Sequence, residues 1–223
     1  MTAILLATTN AKKVERIRKL LKVSGLDVVA KIPTDVGIES IEVEEGSDLA
    51  ANARAKARVY LGKTELPVLG MDTGFFLEGE SLDPAMVKRN ALQGADENSL
   101  TQKEIGAKML EFYRDLARKH GGKAEAYWKD VFVLVMPDGS ERSADAIREV
   151  VLTDEVHGEV NEFFPMRSLY FSKVTGKYSC DATGEDELRE MAPVTKALTE
   201  LVGSEITWGR DESHPYAGNV TAY

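Results

Sequence analysis

The sequence predicts a single α/β domain arranged as two lobes. Short apolar runs alternate with helix-like stretches through the first third of the chain, the pattern of a sheet covered by helices. Beyond Gly121-Gly122 the chain turns to long alternating stretches that double back at Pro137-Asp138-Gly139, which predicts a β-hairpin and a lobe boundary near residue 121. At 223 residues, 43% of them hydrophobic, the chain is long enough to bury one sizeable core. Lobe 1 is expected over roughly residues 1–120 plus the last helix, and lobe 2 over roughly 121–190.

The elements follow in order. Residues 3–7 are apolar and read as a strand; Thr8-Thr9-Asn10 interrupts them, and helical spacing takes over across 12–24. A strand over 27–31, a loop, a helix over 47–63 and a strand over 67–71 complete the alternation. A polar stretch at 94–99 leads into a helix over 101–119, with Ile105, Met109, Phe112, Tyr113 and Leu116 on one face. After the hairpin come a weaker strand at 168–172 and a final helix over 193–202, and the tail beyond Gly203 shows no periodicity.

Charge and cysteine content narrow the function. The net charge of −9, with basic residues scattered through both halves, argues against an extended surface for a nucleic-acid polymer but leaves small phosphorylated ligands open. No apolar run reaches membrane-spanning length, no signal peptide is expected at Met1, and Cys180 is the single cysteine, so a reducing cytoplasmic location is the expectation. Cys180 lacks any surrounding signature of a nucleophile and is read as an ordinary cysteine.

Three stretches carry candidate chemistry. On a helical wheel Val14, Ile17, Leu20 and Leu21 form an apolar arc, and Lys13 falls inside it. Two readings follow. The first is a phosphate seat, where Lys13 adds a full charge to the helix N-terminus and Thr8, Thr9 and Asn10 add hydroxyl and amide groups at a strand end. The second is a plain N-cap by Asn10 or Thr9, with Lys13 reaching for solvent. In the second helix Asn52 and Lys56 lie one turn apart along the edge of the apolar arc, while Arg54 and Arg58 point away. Ahead of that helix Glu42, Glu44 and Glu45 form an acidic loop, which by itself reads equally as a solvated loop. In "GMDTG" a strand is expected to end at Asp72, beside Thr73 and Gly74, a placement suited to Mg²⁺ with phosphate oxygens and water. Their order along one sheet end describes a site for a metal-bound polyphosphate; P-loop and dinucleotide glycine patterns are absent.

These residues resemble the inosine triphosphate pyrophosphatase family, which hydrolyses noncanonical purine nucleoside triphosphates. Thr9, Asn10 and Lys13 match its T-x-N-x-x-K signature, "EEGSDLAANARAKA" is similar to its acidic loop and E-N-A-x-x-K-A helix through Glu44, Asn52 and Lys56, and Asp72 takes the second aspartate of D-D-S-G. The resemblance covers residues 3–77, with agreement of layout beyond. It implies a long twisted mixed sheet, a cleft between lobes holding Mg²⁺ and the triphosphate, a homodimer, and release of pyrophosphate from the monophosphate. Glu44 and Asp72 would hold the metal and attacking water, with Asp72 the stronger candidate for general base, while Lys13 and Lys56 neutralise phosphate charge. Thr8, Thr9, Asn10, Asn52, Thr73 and Gly74 complete the expected substrate contacts. The chain departs from the pattern at Met71, at Ala51, and in the purine-reading segments G-Y-D-P-x-F and S-H-R, for which Arg89, Arg167 and His214 are the nearest substitutes, each also readable as a surface residue. The alternative is a nucleotide-binding or regulatory protein on the same scaffold that has lost catalysis through Met71 and Ala51.

Overall fold

The computed structural model describes residues 2–208. The first parallel unit is β1 (Thr2–Leu6), α1 (Ala11–Val23), β2 (Val28–Lys31), α2 (Leu49–Arg58) and β3 (Val68–Leu77). The chain continues through α3 (Val87–Leu92), α4 (Gln102–Lys119), the hairpin β4 (Lys123–Val135) and β5 (Glu141–Thr153), β6 (Tyr170–Ser172), α5 (Gly184–Glu190) and α6 (Ala192–Trp208). Six strands form one mixed sheet in the order β2-β1-β3-β4-β5-β6. β1 runs parallel to both its neighbours and every pairing from β3 onward is antiparallel. The predicted α/β class and mixed sheet hold.

Local chemistry explains most boundaries. Asn10 caps α1 by accepting from the Lys13 amide at 3.2 Å, Asp48 caps α2, and Thr101 with Glu104 forms a capping box on α4. The hairpin turns where expected, with Met136 N donating to Ser140 O at 2.8 Å. Helices α3 and α5 are absent from the sequence expectation because six or seven residues carry too little periodicity to register. α6 also runs past residue 202, to Trp208. Ser213 and His214 lie outside the described residues.

The strand expected to stop at Asp72 does not stop there. β3 continues to Leu77 because β4 pairs with it along its whole length, from Val68↔Val135 to Leu77↔Ala126. It is the other neighbour that ends: β1 pairs with β3 only through Leu5↔Val68 and Leu6↔Leu69. Asp72 therefore sits just past the C-terminal end of β1, where β3 is bare on one edge. With α1 and α2 packed on opposite faces of the sheet, this is the switch point at which open α/β sheets leave a crevice.

Alternation along β3 and β4 assigns the faces. Leu69, Met71, Phe132 and Leu134 join α1 and α6 in one apolar cluster, and Val68, Val131, Val133 and Val135 join α2 in another on the opposite face. A third cluster, around Phe75, Val150, Leu152 and Tyr113, lies further along under α4. The approach of α2 is tight: a Cβ on Gly70 would lie 2.0 Å from the Ala53 carbonyl oxygen. Arg54 and Arg58 point away from the apolar arc as expected, and there they pair with Glu141 of β5, Arg54 Nε donating to Oε1 at 2.6 Å.

Candidate active site

On the α2 face of β3, Asp72 is 6% exposed and both its oxygens are engaged. Asn52 Nδ2 donates to Oδ2 at 2.8 Å and Lys56 Nζ donates to Oδ1 at 3.0 Å. One helical turn separates the two donors, so α2 presents both to one carboxylate. Asn52 also exchanges two 2.8 Å bonds with the backbone of Gly46, which ties the acidic loop to the same helix. From that loop Glu45 reaches Lys56 at 2.9 Å. Glu44, the predicted ligand, is exposed, and no ion pair or hydrogen bond among the described residues engages it. The nearer carboxylate is thus the neighbour of the predicted one, a one-residue distinction that motif spacing in an irregular loop does not resolve.

Lys13 approaches from α1, half-buried as the wheel required. Burial first, and then the Lys56 charge, hold its ammonium below the ordinary lysine range, while Asp72 and Glu45 pull it back up. Of the plain N-cap reading, the cap itself is present at Asn10, but Lys13 stays half-buried instead of reaching for solvent. Thr8 accepts from the Asn10 amide through Oγ1 at 3.2 Å, whereas Thr9 faces a separate shallow groove between α1 and Ile32. Gly74 lies on the Asp72 face under Phe76 and Pro84, where a Cβ would meet Phe76 at 2.8 Å.

Met71 points the other way. Alternation puts it on the α1 and α6 face, 3% exposed in the apolar cluster, so its replacement of an aspartate removes no carboxylate from the side on which Asp72, Asn52 and Lys56 meet. Ala51 is exposed on α2 and offers nothing to that side.

Thr73 also faces away from Asp72, and it leads to a part of the cleft that the sequence did not reveal. Its Oγ1 donates to Asp130 Oδ1 at 2.9 Å, and Arg148 bridges Asp130 Oδ2 and Glu190 Oε1, each at 2.9 Å. Arg16 Nη2 stands 3.9 Å from Asp130. These charges fill the gap between two apolar clusters and border a cleft of about 670 Å³ between α1, the sheet and α5. Asn10, Lys13, Arg16 and Thr73 line its near side, and Trp128, Phe164, Arg167 and Tyr170 its far side. Trp128 packs against Phe75 at 4.8 Å, lies under the Arg148 guanidinium at 5.6 Å, and its Nε1–H is buried without a partner among the described residues, as is Arg16 Nε–H. Of the three predicted base contacts, Arg167 lines this cleft and donates to Ser179 O at 2.7 Å, Arg89 is exposed on α3, and His214 is outside the described residues. One signal was available: Asp130 and Arg148 fall on the apolar phase of their strands, between Trp128 and Phe132 and between Ala146 and Val150.

Fold and cleft define an α/β protein whose ligand crevice opens at the β1/β3 switch point of a mixed sheet. The sequence profile of the Ham1 family matches residues 4–163, and the chain belongs to that family. The chain is 30% identical over 139 residues to a dITP/XTP pyrophosphatase of Corynebacterium glutamicum (strain R), 62% of this chain and 64% of that protein. It is 34% identical over 116 residues to the dITP/XTP pyrophosphatase of Escherichia coli (strain K12), 52% of this chain and 55% of that protein. The matched stretch thus spans less than two thirds of either relative. A HAM1 protein from Coxiella burnetii superposes with a TM-score of 0.68 over 93% of this chain and 100% of that one at 19% identity, which supports the fold. Arg167 and Glu190, on the far side of the cleft, come after the last residue that the family profile matches.

Proposed function

We propose that this chain is a Mg²⁺-dependent nucleoside triphosphate pyrophosphatase that releases pyrophosphate and a nucleoside monophosphate. The observation that carries the reading is Lys13, a lysine held half-buried against Lys56 at the mouth of the cleft, where like charge and burial disfavour it until an anion arrives. The dITP/XTP pyrophosphatase names of the relatives supply the substrate class. Lys13 and Lys56 bind the phosphates, the first-turn amides of α1 add hydrogen bonds, and Asp72 orients the attacking water while Asn52 and Lys56 hold its carboxylate still. Hard carboxylate oxygens at Asp72, Glu45 and Glu44 fit Mg²⁺, which when bound would offset phosphate charge. Such transfers depend on positioning and electrostatics, so no covalent nucleophile is required.

The base belongs in the aromatic end of the cleft. Trp128 Nε1 and Arg16 Nε are donors without partners among the described residues, and a 6-oxopurine offers them carbonyl and ring-nitrogen acceptors where adenine offers an amino donor. At least a 10-fold preference in kcat/KM for inosine over adenosine triphosphate is expected from one such mismatch. The reading also includes a two-lobed domain with the cleft between its lobes and a cytoplasmic homodimer; exposed Val156, Val160 and Phe163 offer apolar surface for the dimer, and no described helix is long and apolar enough to cross a membrane.

A panel of nucleoside triphosphates with Mg²⁺, assayed for pyrophosphate against orthophosphate, tests the proposal. Pyrophosphate release with inosine and xanthosine triphosphates supports it, and orthophosphate release refutes it. The second reading, a binding protein without hydrolysis, rests on the full engagement of Asp72 by Asn52 and Lys56, and it predicts tight triphosphate binding with no product.

A further inference from the structure

Behind the wall of the cleft three side chains converge that the proposed reaction does not use. His157 follows β5, Cys180 and Asp181 precede α5, and one donor atom from each lies within 4.8 Å of the other two. His157 Nε2 stands 2.7 Å from Asp181 Oδ2, and Cys180 Sγ donates to the His157 carbonyl at 3.4 Å. We infer that His157, Cys180 and Asp181 form a transition-metal site of the Zn²⁺ class, with water in the fourth position.

The donor set selects the ion. One imidazole nitrogen, one thiolate and one carboxylate match borderline metals such as Zn²⁺ and Co²⁺ and are a poor set for Mg²⁺, which takes oxygens. Tetrahedral Zn²⁺ ligands sit roughly 3.3–3.7 Å apart given bonds of about 2.0–2.3 Å. The present separations, from 2.7 Å to at most 4.8 Å, bracket that spacing, so binding an ion would require the first to open and the wider ones to close.

The backbone beneath is already organised. His157 N donates to Ser168 O at 2.8 Å and Cys180 N donates to Arg167 O at 3.1 Å, so both ligand-bearing segments are tied to the same turn. The His157 ring stacks on Tyr178 at 4.2 Å with 10° between planes, which orients the imidazole before any ion binds. Gly158, at φ +66°, keeps the backbone close to the thiol, since a Cβ there would stand 3.4 Å from Sγ. On binding, the Cys180 thiol would give its proton to solvent, the His157 Nε2 proton would pass to solvent while neutral imidazole keeps one on Nδ1, and the His157–Asp181 hydrogen bond would be exchanged for two metal bonds. Ser179 and Ala182, between and beside the ligands, line the cleft, and Arg167 donates to Ser179 O, so the ion would fix the loop that forms this wall.

The test is calorimetric titration of Zn²⁺ into the full chain in excess Mg²⁺, with Co²⁺ as a spectroscopic probe. The expected result is one Zn²⁺ per chain, affinity reduced at least 10-fold by His157→Ala and by Cys180→Ser and unchanged by Asp72→Asn, and a thiolate-to-Co²⁺ charge-transfer band that Cys180→Ser abolishes. In the unmutated chain Zn²⁺ should also slow alkylation of Cys180, the sole cysteine. Absence of saturable binding, half-stoichiometric binding between two chains, loss of binding with Asp72→Asn, or a thiol that alkylates at the same rate with and without Zn²⁺ overturns the site.

Discussion

Two charged groups meet on β3 from opposite faces, and they are built differently. On one face Asp72 is held by Asn52 and Lys56, with Glu45 and Lys13 close by; on the other Asp130, Arg148 and Glu190 form a chain joined to Thr73. In the first group two lysines share one site, and burial first, then the Lys56 charge, hold Lys13 below its ordinary range. In the second every charge has a partner at 2.9 Å and almost no solvent, with Asp130 1% and Arg148 5% exposed. On the proposed reaction, the difference separates a group that receives a ligand from one that holds strands β4 and β5 and the α5–α6 junction in place.

Breaking the inner group should have the largest effect. Arg148→Met leaves Glu190 buried without its cation and Asp130 with only Thr73 and the more distant Arg16, and a loss of about 3–5 kcal/mol is expected in urea unfolding. Adding Asp130→Asn and Glu190→Gln should recover most of it. A loss below about 1 kcal/mol in the single variant would place these residues among exposed pairs and erase the contrast.

Next in size is Asp72→Asn, which keeps the shape but removes the charge and the base. On the proposed reaction we expect a rate loss on the order of 10²-fold or more at saturating Mg²⁺, with a modest change in melting temperature. A rate equal to wild type moves the chemistry off this carboxylate.

Lys13→Ala and Lys56→Ala should each weaken triphosphate binding by about 10- to 100-fold, the worth of a hydrogen bond to a charged group. Their stabilities should diverge. Lys56→Ala strips Asp72 of a partner and destabilises, whereas Lys13→Met relieves crowding and leaves stability unchanged or raised. Equilibrium binding beside thermal melts checks both, and a folded Lys13→Ala variant that binds as tightly as wild type removes the anion seat.

The smallest effect concerns pH. Because the folded-state pKa of Lys13 is lowered, the unfolded chain binds more protons in the window just below the ordinary lysine value, so this group's contribution to stability rises with pH there. The advantage of Lys13→Met over wild type should shrink between about neutral pH and about 10. A gap that stays constant or widens contradicts the direction given for Lys13.

Much of the Asp72 face was legible in the chain because its determinants are local. Asn52 and Lys56 are one turn apart on one helix, Lys13 follows its own N-cap by three residues, and a strand carries Asp72 past the end of β1; periods of 3.6 and 2 suffice to place such groups. What escaped was which glutamate of the irregular loop reaches Lys56, and that the strand runs on through Thr73, so that alternation turns it to the opposite side from Asp72. Met71 looked like a missing ligand for the same reason, until alternation placed it in the apolar cluster.

The sequence by itself determined the α/β class, the helix caps, the hairpin turn and the family, since each rests on residues within a few positions of one another or on a contiguous motif. Only the tertiary structure decided that β3 runs on past Asp72, that Asp130, Arg148 and Glu190 meet, and that His157 reaches Cys180 and Asp181. Arg148 stands 18 residues from Asp130 and 42 from Glu190, and such partners are chosen by strand register and by the desolvation of charges that must pair once buried. Neither leaves a local pattern in the chain.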